Sequence, residues 1–239
     1  MTVSAYRGIE HRVFTQTAPE LARELIGTLL LRLTPESVRQ GALVGRIVET
    51  EAYTEDDPAS HSHRGPTKRA AVMFGPPGYA YVYLIYGMYS CLNVVCAGEG
   101  AGEAVLIRAV EPLAGIPGMI DNRSRHRSVA GRGEAARWRL RERLEARPAR
   151  IADGPGKVGA AFDIQVARDN GVDLSHGDLL LARELTVEPP PGAPKRDGQP
   201  AQERRLQLSA HSGEIEISAR IGISKGKERL WRFIEVRDR

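Results

Sequence analysis

Period-two alternation dominates the apolar pattern of this chain, and helical spacing is confined to short stretches between the alternating segments. Thr28–Leu33, leucine-rich around Arg32, predicts a buried strand, and Ala42–Tyr53 predicts a second. A polar loop follows over Thr54–Ala70, then a Gly75-Pro-Pro-Gly78 turn. Ala80–Ile85 and Tyr89–Cys96 read as strands joined in a tight hairpin around Tyr86-Gly87-Met88. Ala104–Val110 is a further strand, ended by Glu111-Pro112, and Glu214–Ile223 alternates as a half-buried strand does. Helical signals are fewer. Thr17-Ala-Pro-Glu20 reads as a capping box with proline in the first turn, backed by Leu21, Ala22 and Leu25, and Gly27 suits the helix end. Gly133–Ala146 puts Ala136, Leu140 and Leu144 on one stripe, and Gly154-Pro-Gly-Lys157 leads into a short apolar helix. Pro189–Ala201, rich in proline, glycine and charge, predicts a surface loop. Strands outnumber helices and no regular βαβ order appears. The expected fold class is mixed α/β of the α+β kind: one domain over residues 1–239, with a curved, mainly antiparallel sheet, flanking helices and a protruding hairpin.

Composition narrows the class. A chain of 239 residues holds one well-filled core or at most two small domains. With 41% hydrophobic and 27% charged residues it belongs with ordinary globular proteins rather than disordered ones. No apolar run approaches the roughly 20 residues that span a bilayer, and the N-terminus lacks a signal-peptide core, so a cytoplasmic protein without a membrane partner is expected. Cys91 and Cys96, the two cysteines, fall in one predicted strand, which excludes a disulfide framework. Charge is uneven: Asp121–Arg150 holds ten arginines against Asp121, Glu134, Glu142 and Glu145, an excess larger than the +4 of the whole chain. This basic segment reads equally as a surface for a polyanion or as a solvated helix held by local Glu–Arg pairs.

Candidate chemistry gathers between Val48 and Asn93. Five of the seven tyrosines lie between Tyr79 and Tyr89, and Tyr53 is a sixth. Flat rings near acids and arginines suit a protein that grips a planar base. In a regular strand Glu49, Glu51 and Tyr53 share one face; spacing alone does not say which acid is chemical and which is merely exposed. His61-x-His63 has spacing that can hold a metal with Glu51, but Arg64, Lys68 and Arg69 nearby disfavour a dication, and no metal or other cofactor is expected. Tyr81 and Tyr83 share a strand face, where packing competes with ligand contact. Tyr86 stands at the hairpin tip beside Met88, a place suited to wedging between stacked bases or to ordinary turn packing.

The motifs V-E-T-E-A-Y, A-S-H-S, T-K-R, M-F-G-P-P-G, Y-V-Y-L-I-Y-G-M, C-L-N-V-V and L-I-R-A-V-E-P follow one another from Val48 to Pro112. Weaker ones follow at Gly154-Pro-Gly-Lys157, Arg220-Ile-Gly-Ile223 and Trp231-Arg-Phe233. Together with Leu25–Leu31 this ordered set closely resembles the alkyladenine (3-methyladenine) DNA glycosylase family, the type without a helix-hairpin-helix. The resemblance implies a monofunctional enzyme that flips a damaged purine out of double-stranded DNA and hydrolyses its N-glycosidic bond. It implies that Glu51 activates water, with Arg108 and the backbone carbonyl of Ile221 helping to hold it. Tyr53, His61 and Tyr83 then form the base pocket, and Asn93 guards against normal purines. Tyr86 fills the gap left in the duplex with Met88 alongside, while Thr67, Lys68, Arg69, Gly154 and Lys157 meet DNA. A monomer with damaged duplex DNA as its partner is expected. Ala70 stands where the family commonly has asparagine, and the arginine-rich segment is longer than usual. Two other classes compete: a catalytically silent nucleic-acid binder, and a metal-dependent hydrolase using His61, His63 and Glu51.

Overall fold

A computed structural model describes residues 2–33, 42–188, 205–206 and 214–236. The Pro189–Ala201 loop expected from sequence lies outside them. Ten strands form one sheet: β1 (Thr2–Gly8), β2 (Leu29–Arg32), β3 (Leu43–Tyr53), β4 (Ala80–Ile85), β5 (Tyr89–Cys96), β6 (Glu103–Ala114), β7 (Leu179–Glu188), β8 (Arg205–Leu206), β9 (Ile215–Ser218) and β10 (Arg232–Glu235). The main order is β1-β7-β2-β3-β6-β5-β4, with β10 joined to β3 and β9 and with β8 joined to β7. Every pairing among these strands is antiparallel. The helices are α1 (His11–Phe14), α2 (Ala18–Glu24), α3 (Ile116–Arg125), α4 (Arg127–Ala130), α5 (Glu134–Ala146), α6 (Pro155–Ala161) and α7 (Val166–Asp169). The mixed α/β class with a mainly antiparallel sheet is the observed one.

Local signals explain most of the element ends. Thr17 donates to the Glu20 carboxylate through both its backbone N–H (3.0 Å) and its hydroxyl (2.6 Å), and α2 starts there with Pro19 in its first turn. Two boundaries differ from the sequence reading. Pro112 does not end β6, because by then β6 has run past its β5 neighbour, which pairs only over Glu103–Leu106. Pro112 still faces Gly45 of β3, next to a register shift, where a missing N–H is tolerated. The strand expected over Glu214–Ile223 stops at Ser218, since the Arg220 side chain turns inward and the chain leaves the ladder.

The pleat sorts the sheet into two faces. Ala80 and Val82 of β4, Leu92 and Val94 of β5, and Val105 and Ile107 of β6 join the main core with Leu21 and Ala22 of α2, Met119 of α3 and Val158 of α6. Helix α6 lies so close to β5 that a Cβ on Gly159 would sit 2.0 Å from the Ser90 carbonyl oxygen, so only glycine fits. The alternate residues Tyr81, Val95 and Ala104 form a smaller cluster on the opposite face. That second face carries the cleft.

At the far side of the core, Arg32 forms a bidentate pair with Asp169 at 3.0 and 2.7 Å, both side chains almost wholly buried, and donates to the Phe162 carbonyl. Burial opposes ionisation of Asp169, but bonds from Arg168 and Arg32 outweigh it and hold the carboxyl below its ordinary range. Its contribution to stability is therefore complete above the unfolded pKa of about 3.9 and lost as pH falls through the lower native value. Asp169→Asn is expected to lower the unfolding free energy at neutral pH by about 3–5 kcal/mol, because it strands a buried guanidinium. A urea titration showing a change below about 1 kcal/mol would mean that the pair contributes little.

Candidate active site

The acids owe their direction to two bulges. In the β3–β6 ladder Ile47 pairs with Val110 and Glu49 with Ala109, so Val48 is an extra residue on β3. Thr50 then pairs with Ile107, leaving Arg108 extra on β6. Leu43 and Ile47 belong to the main core, and after the bulge Ala52 does; the core-facing positions change from odd to even. Thr50 follows the even set, its buried hydroxyl donating to the Ala22 carbonyl of α2 at 2.7 Å. Glu49, Glu51 and Tyr53 are thereby turned away from the core, onto one face as their spacing predicts, and Arg108 is turned toward them.

Glu51 is wholly buried. Its Oε1 accepts from the Ile221 amide at 2.7 Å, and its Oε2 accepts from the Tyr53 hydroxyl at 2.8 Å and pairs with Arg108 Nη1 at 3.2 Å. Glu49 is different in kind: one oxygen receives Arg108 Nε at 2.9 Å and Arg232 Nε at 2.5 Å. It is a counter-charge between two arginines, and it aims Arg108 at Glu51. Burial would lower the Arg108 pKa, but Glu51 and Glu49 outweigh it and raise the value. Burial, reinforced by the Glu51 carboxylate, pushes the Tyr53 phenol up, so it stays a donor. Ile221 meets Glu51 through its N–H.

Above this group opens a cleft of about 590 Å³, a size ordinary for a small-molecule site. Tyr53, Arg108 and Ile221, the three partners of Glu51, all line it, and Glu51 lies just beneath them. The opposite wall is aromatic. His61 meets Tyr83 edge to face at 4.6 Å between ring centres, and its Nδ1 shares a 2.9 Å hydrogen bond with the Tyr81 hydroxyl. Burial, then the Arg69 cation, lowers the His61 pKa, so the ring is neutral near pH 7. Arg69 covers the Tyr83 ring at 5.1 Å. The Asn93 side-chain amide is fixed by donating to the Tyr81 carbonyl at 3.0 Å. Burial pushes the Cys91 thiol up to about 11, so this part of the wall is uncharged too.

At the cleft mouth β4 and β5 turn through Tyr86 and Gly87, with Met88 N–H bonded to the Ile85 carbonyl at 3.1 Å. Both turn residues have positive φ, 50° at Tyr86 and 66° at Gly87, as a type I′ turn requires. Tyr86 is 85% exposed. The basic segment braces this hairpin: Arg127 donates to the Gly87 carbonyl at 3.2 Å, and His126 stacks on Tyr89 at 5.0 Å. Its arginines are not held by local Glu–Arg pairs. Asp121 takes both Arg125 and Arg141, while Glu134, Glu142 and Glu145 form no ion pair among the described residues.

The sequence candidates thus divide. Arg108, Ile221, Tyr53, His61, Tyr83, Asn93, Tyr86, Arg69, Gly154 and Lys157 line one cleft. Met88, Thr67 and Lys68 lie outside its lining, Thr67 accepting from the Ala70 N–H at 3.2 Å. Lys157 is drawn to Asp153 at 2.5 Å. His61 and His63 serve different partners, His63 meeting the Glu55 carbonyl, and no cluster of three metal-ligating side chains occurs among the described residues. No helix there is long and apolar enough to cross a membrane. Tyr81, Tyr89 and Arg123 also line the cleft and were not singled out from sequence as pocket residues. For Tyr81 the signal was present, because it shares a strand face with Tyr83.

The site is thus a cleft with aromatic walls over a buried, donor-surrounded carboxylate. Comparison with known proteins is more specific: the chain belongs to the methylpurine-DNA glycosylase family, whose profile matches residues 12–239. A protein of Rubrobacter xylanophilus, provisionally named a 3-methyladenine DNA glycosylase, is 38% identical over 216 residues, covering 90% of this chain and 87% of its own. One of Methanoculleus marisnigri with the same name is 43% identical over 213 residues, 89% and 87% of the two chains. A third, from Herpetosiphon aurantiacus, reaches 48% over 157 residues, 65% and 60% of the two.

A tyrosine held at φ 50° carries strain, since its Cβ crowds the backbone; glycine has no Cβ, and asparagine offsets the cost through local hydrogen bonds of its short polar side chain. Tyr86→Asn is expected to raise the unfolding free energy by about 1 kcal/mol. A denaturation midpoint that stays put or falls would show that the turn is unstrained.

Proposed function

We propose that this protein is a monofunctional DNA glycosylase that turns an alkylated purine, and by the same contacts a deaminated or etheno purine, out of the duplex into the cleft. It hydrolyses the N-glycosidic bond and leaves an abasic site. The observation that supports this most is the position of Glu51, beneath a ring-lined cleft and in contact with three groups that line it. Departure of the purine leaves positive charge on the sugar, as in other oxocarbenium-like displacements. Glu51 accepts a proton from water and its charge stabilises the sugar cation.

Because Glu51 has no exposed surface, water reaches it only when one contact opens. The Arg108 contact is charge-assisted on both sides, whereas the Tyr53 hydroxyl is a neutral donor and therefore easier to displace. Tyr53 is also the ring on which an extruded base stacks, so base entry and water entry act on one side chain. The damaged base lies between Tyr53 and the His61–Tyr83 wall. Asn93, fixed by Tyr81, tests its edge and rejects a normal purine by leaving polar groups mismatched. Tyr86 enters the duplex in place of the base with Met88 beside it, and Thr67, Lys68, Arg69, Gly154 and Lys157 face the backbone. The protein acts as a monomer on one lesion at a time.

Duplexes containing ethenoadenine, hypoxanthine or an alkylated adenine test the reading directly. The purified protein is expected to release at least one of these bases; release of none removes the glycosylase assignment, and binding without release favours a silent binder. Glu51→Gln should keep lesion affinity while losing about 100-fold or more in single-turnover release. Unchanged release would reject Glu51 as the base. Tyr86→Ser should weaken lesion binding by about tenfold, on the scale of losing one stacked ring, and equal affinity would reject the wedge role.

A further inference from the structure

Beside Glu51, one buried charge has no part in the scheme above. Arg220 and Asp57 form an ion pair in which neither side chain has any exposed surface. Arg220 Nη2 meets Asp57 Oδ1 at 3.1 Å, and Nη1 meets Oδ2. The same guanidinium donates to the Ala52 carbonyl at 2.9 Å and the Gly226 carbonyl at 3.0 Å. Its central carbon also lies over two aromatic rings, 4.7 Å from the Tyr53 ring centre and 5.4 Å from that of Trp231. Its Nε is buried without an acceptor among the described residues. The guanidinium is thus fixed both by its four hydrogen bonds and by the two rings.

The connections of this pair converge on Glu51. Tyr53, stacked on Arg220, donates to Glu51 Oε2. Ile221, the next residue after Arg220, donates to Oε1. Asp57 Oδ1 accepts from the Ala59 N–H at 3.0 Å, at the start of the Ala59-Ser60-His61 stretch that lines the facing wall. We propose that Arg220 and Asp57 are the positioning residues of this site: one buried pair sets two of the three contacts on Glu51 and ties them to the loop that carries His61. The inference rests on the glycosylase reading for its catalytic consequence, but its geometric part stands apart from it.

The test separates the two. Arg220→Met/Asp57→Leu replaces the pair by apolar volume, a change that often leaves stability intact. Arg220→Lys keeps the charge but loses the planar stack. Gly226→Ala leaves both residues in place but puts a Cβ 2.6 Å from Asp57 Oδ1 and 2.9 Å from Arg220 Nη2, at a φ of +64°. In each variant that keeps its thermal transition, single-turnover release from an ethenoadenine or hypoxanthine duplex is expected to fall about 100-fold, as for a small misplacement of a reacting group. Lesion affinity should change much less. Hydrogen exchange at the Ile221 amide should quicken by about tenfold or more as its bond to Glu51 loosens. Folded variants with wild-type release and wild-type Ile221 exchange overturn the proposal. If the wild-type protein releases no base, the glycosylase reading fails, and the Ile221 exchange rates still decide whether the pair positions Glu51.

Discussion

The two bulges between β3 and β6 are the constraint on which the cleft depends. A strand alternates strictly, so a residue sharing parity with Leu43 and Ile47 should face the core. Glu49 and Glu51 share that parity. One extra residue at Val48 reverses the pleat and sends both acids to the other side, while the compensating extra residue at Arg108 brings the ladder back into step. Without the reversal two carboxylates would enter a core of Val105, Ile107 and Leu92, at a desolvation cost of several kcal/mol for each ion. The bulges therefore decide at once where the charges are and which cation meets them.

Once the acids share a face, the arrangement of charge follows from satisfying them. Arg232, Glu49, Arg108 and Glu51 form a row of alternating sign across β10, β3 and β6. Farther along β3, Arg46 repeats the device with Glu111 and Glu235. Glu49 is bound by cations alone, whereas Glu51 takes one cation and two neutral donors. That difference separates two acids that look alike in the sequence. Neutral contacts restrain a carboxylate without cancelling its charge, so Glu51 keeps more of its field than Glu49 does.

Much of this was legible in the sequence, and the exceptions share a cause. Hairpin limits at Ala80–Ile85 and Tyr89–Cys96, the Thr17–Glu20 cap and the shared face of Glu49, Glu51 and Tyr53 are local features, set by a few neighbouring residues. What escaped depends on contacts distant in sequence. Pro112 reads as a strand end unless one knows that β5 has already left that edge. Ala219–Ile223 reads as strand unless Asp57 is known to draw Arg220 inward. The parity break at Val48 did leave a trace, since apolar odd positions give way to acidic ones there, but a trace of this kind names a bulge only once β6 is seen beside it. Arg220 carried no signal beyond its place in a short motif, because its partner lies 163 residues away.

Strain and restraint divide the cleft between mouth and floor. At the mouth, Tyr86 occupies a backbone region that disfavours it, on a turn steadied by Arg127 and His126 of the basic segment. An asparagine there would suit the turn but present no ring, and nothing among the described residues requires one, since Tyr86 is largely exposed. The basic segment then has a reason to be ordered apart from any charge it offers to a polyanion: it holds the base of a strained hairpin. At the floor the logic is reversed: Glu51 is wholly buried and held by Ile221, Tyr53 and Arg108. A site closed in this way keeps its carboxylate from bulk water, and of its two neutral contacts the side-chain one comes from Tyr53, which itself lines the cleft.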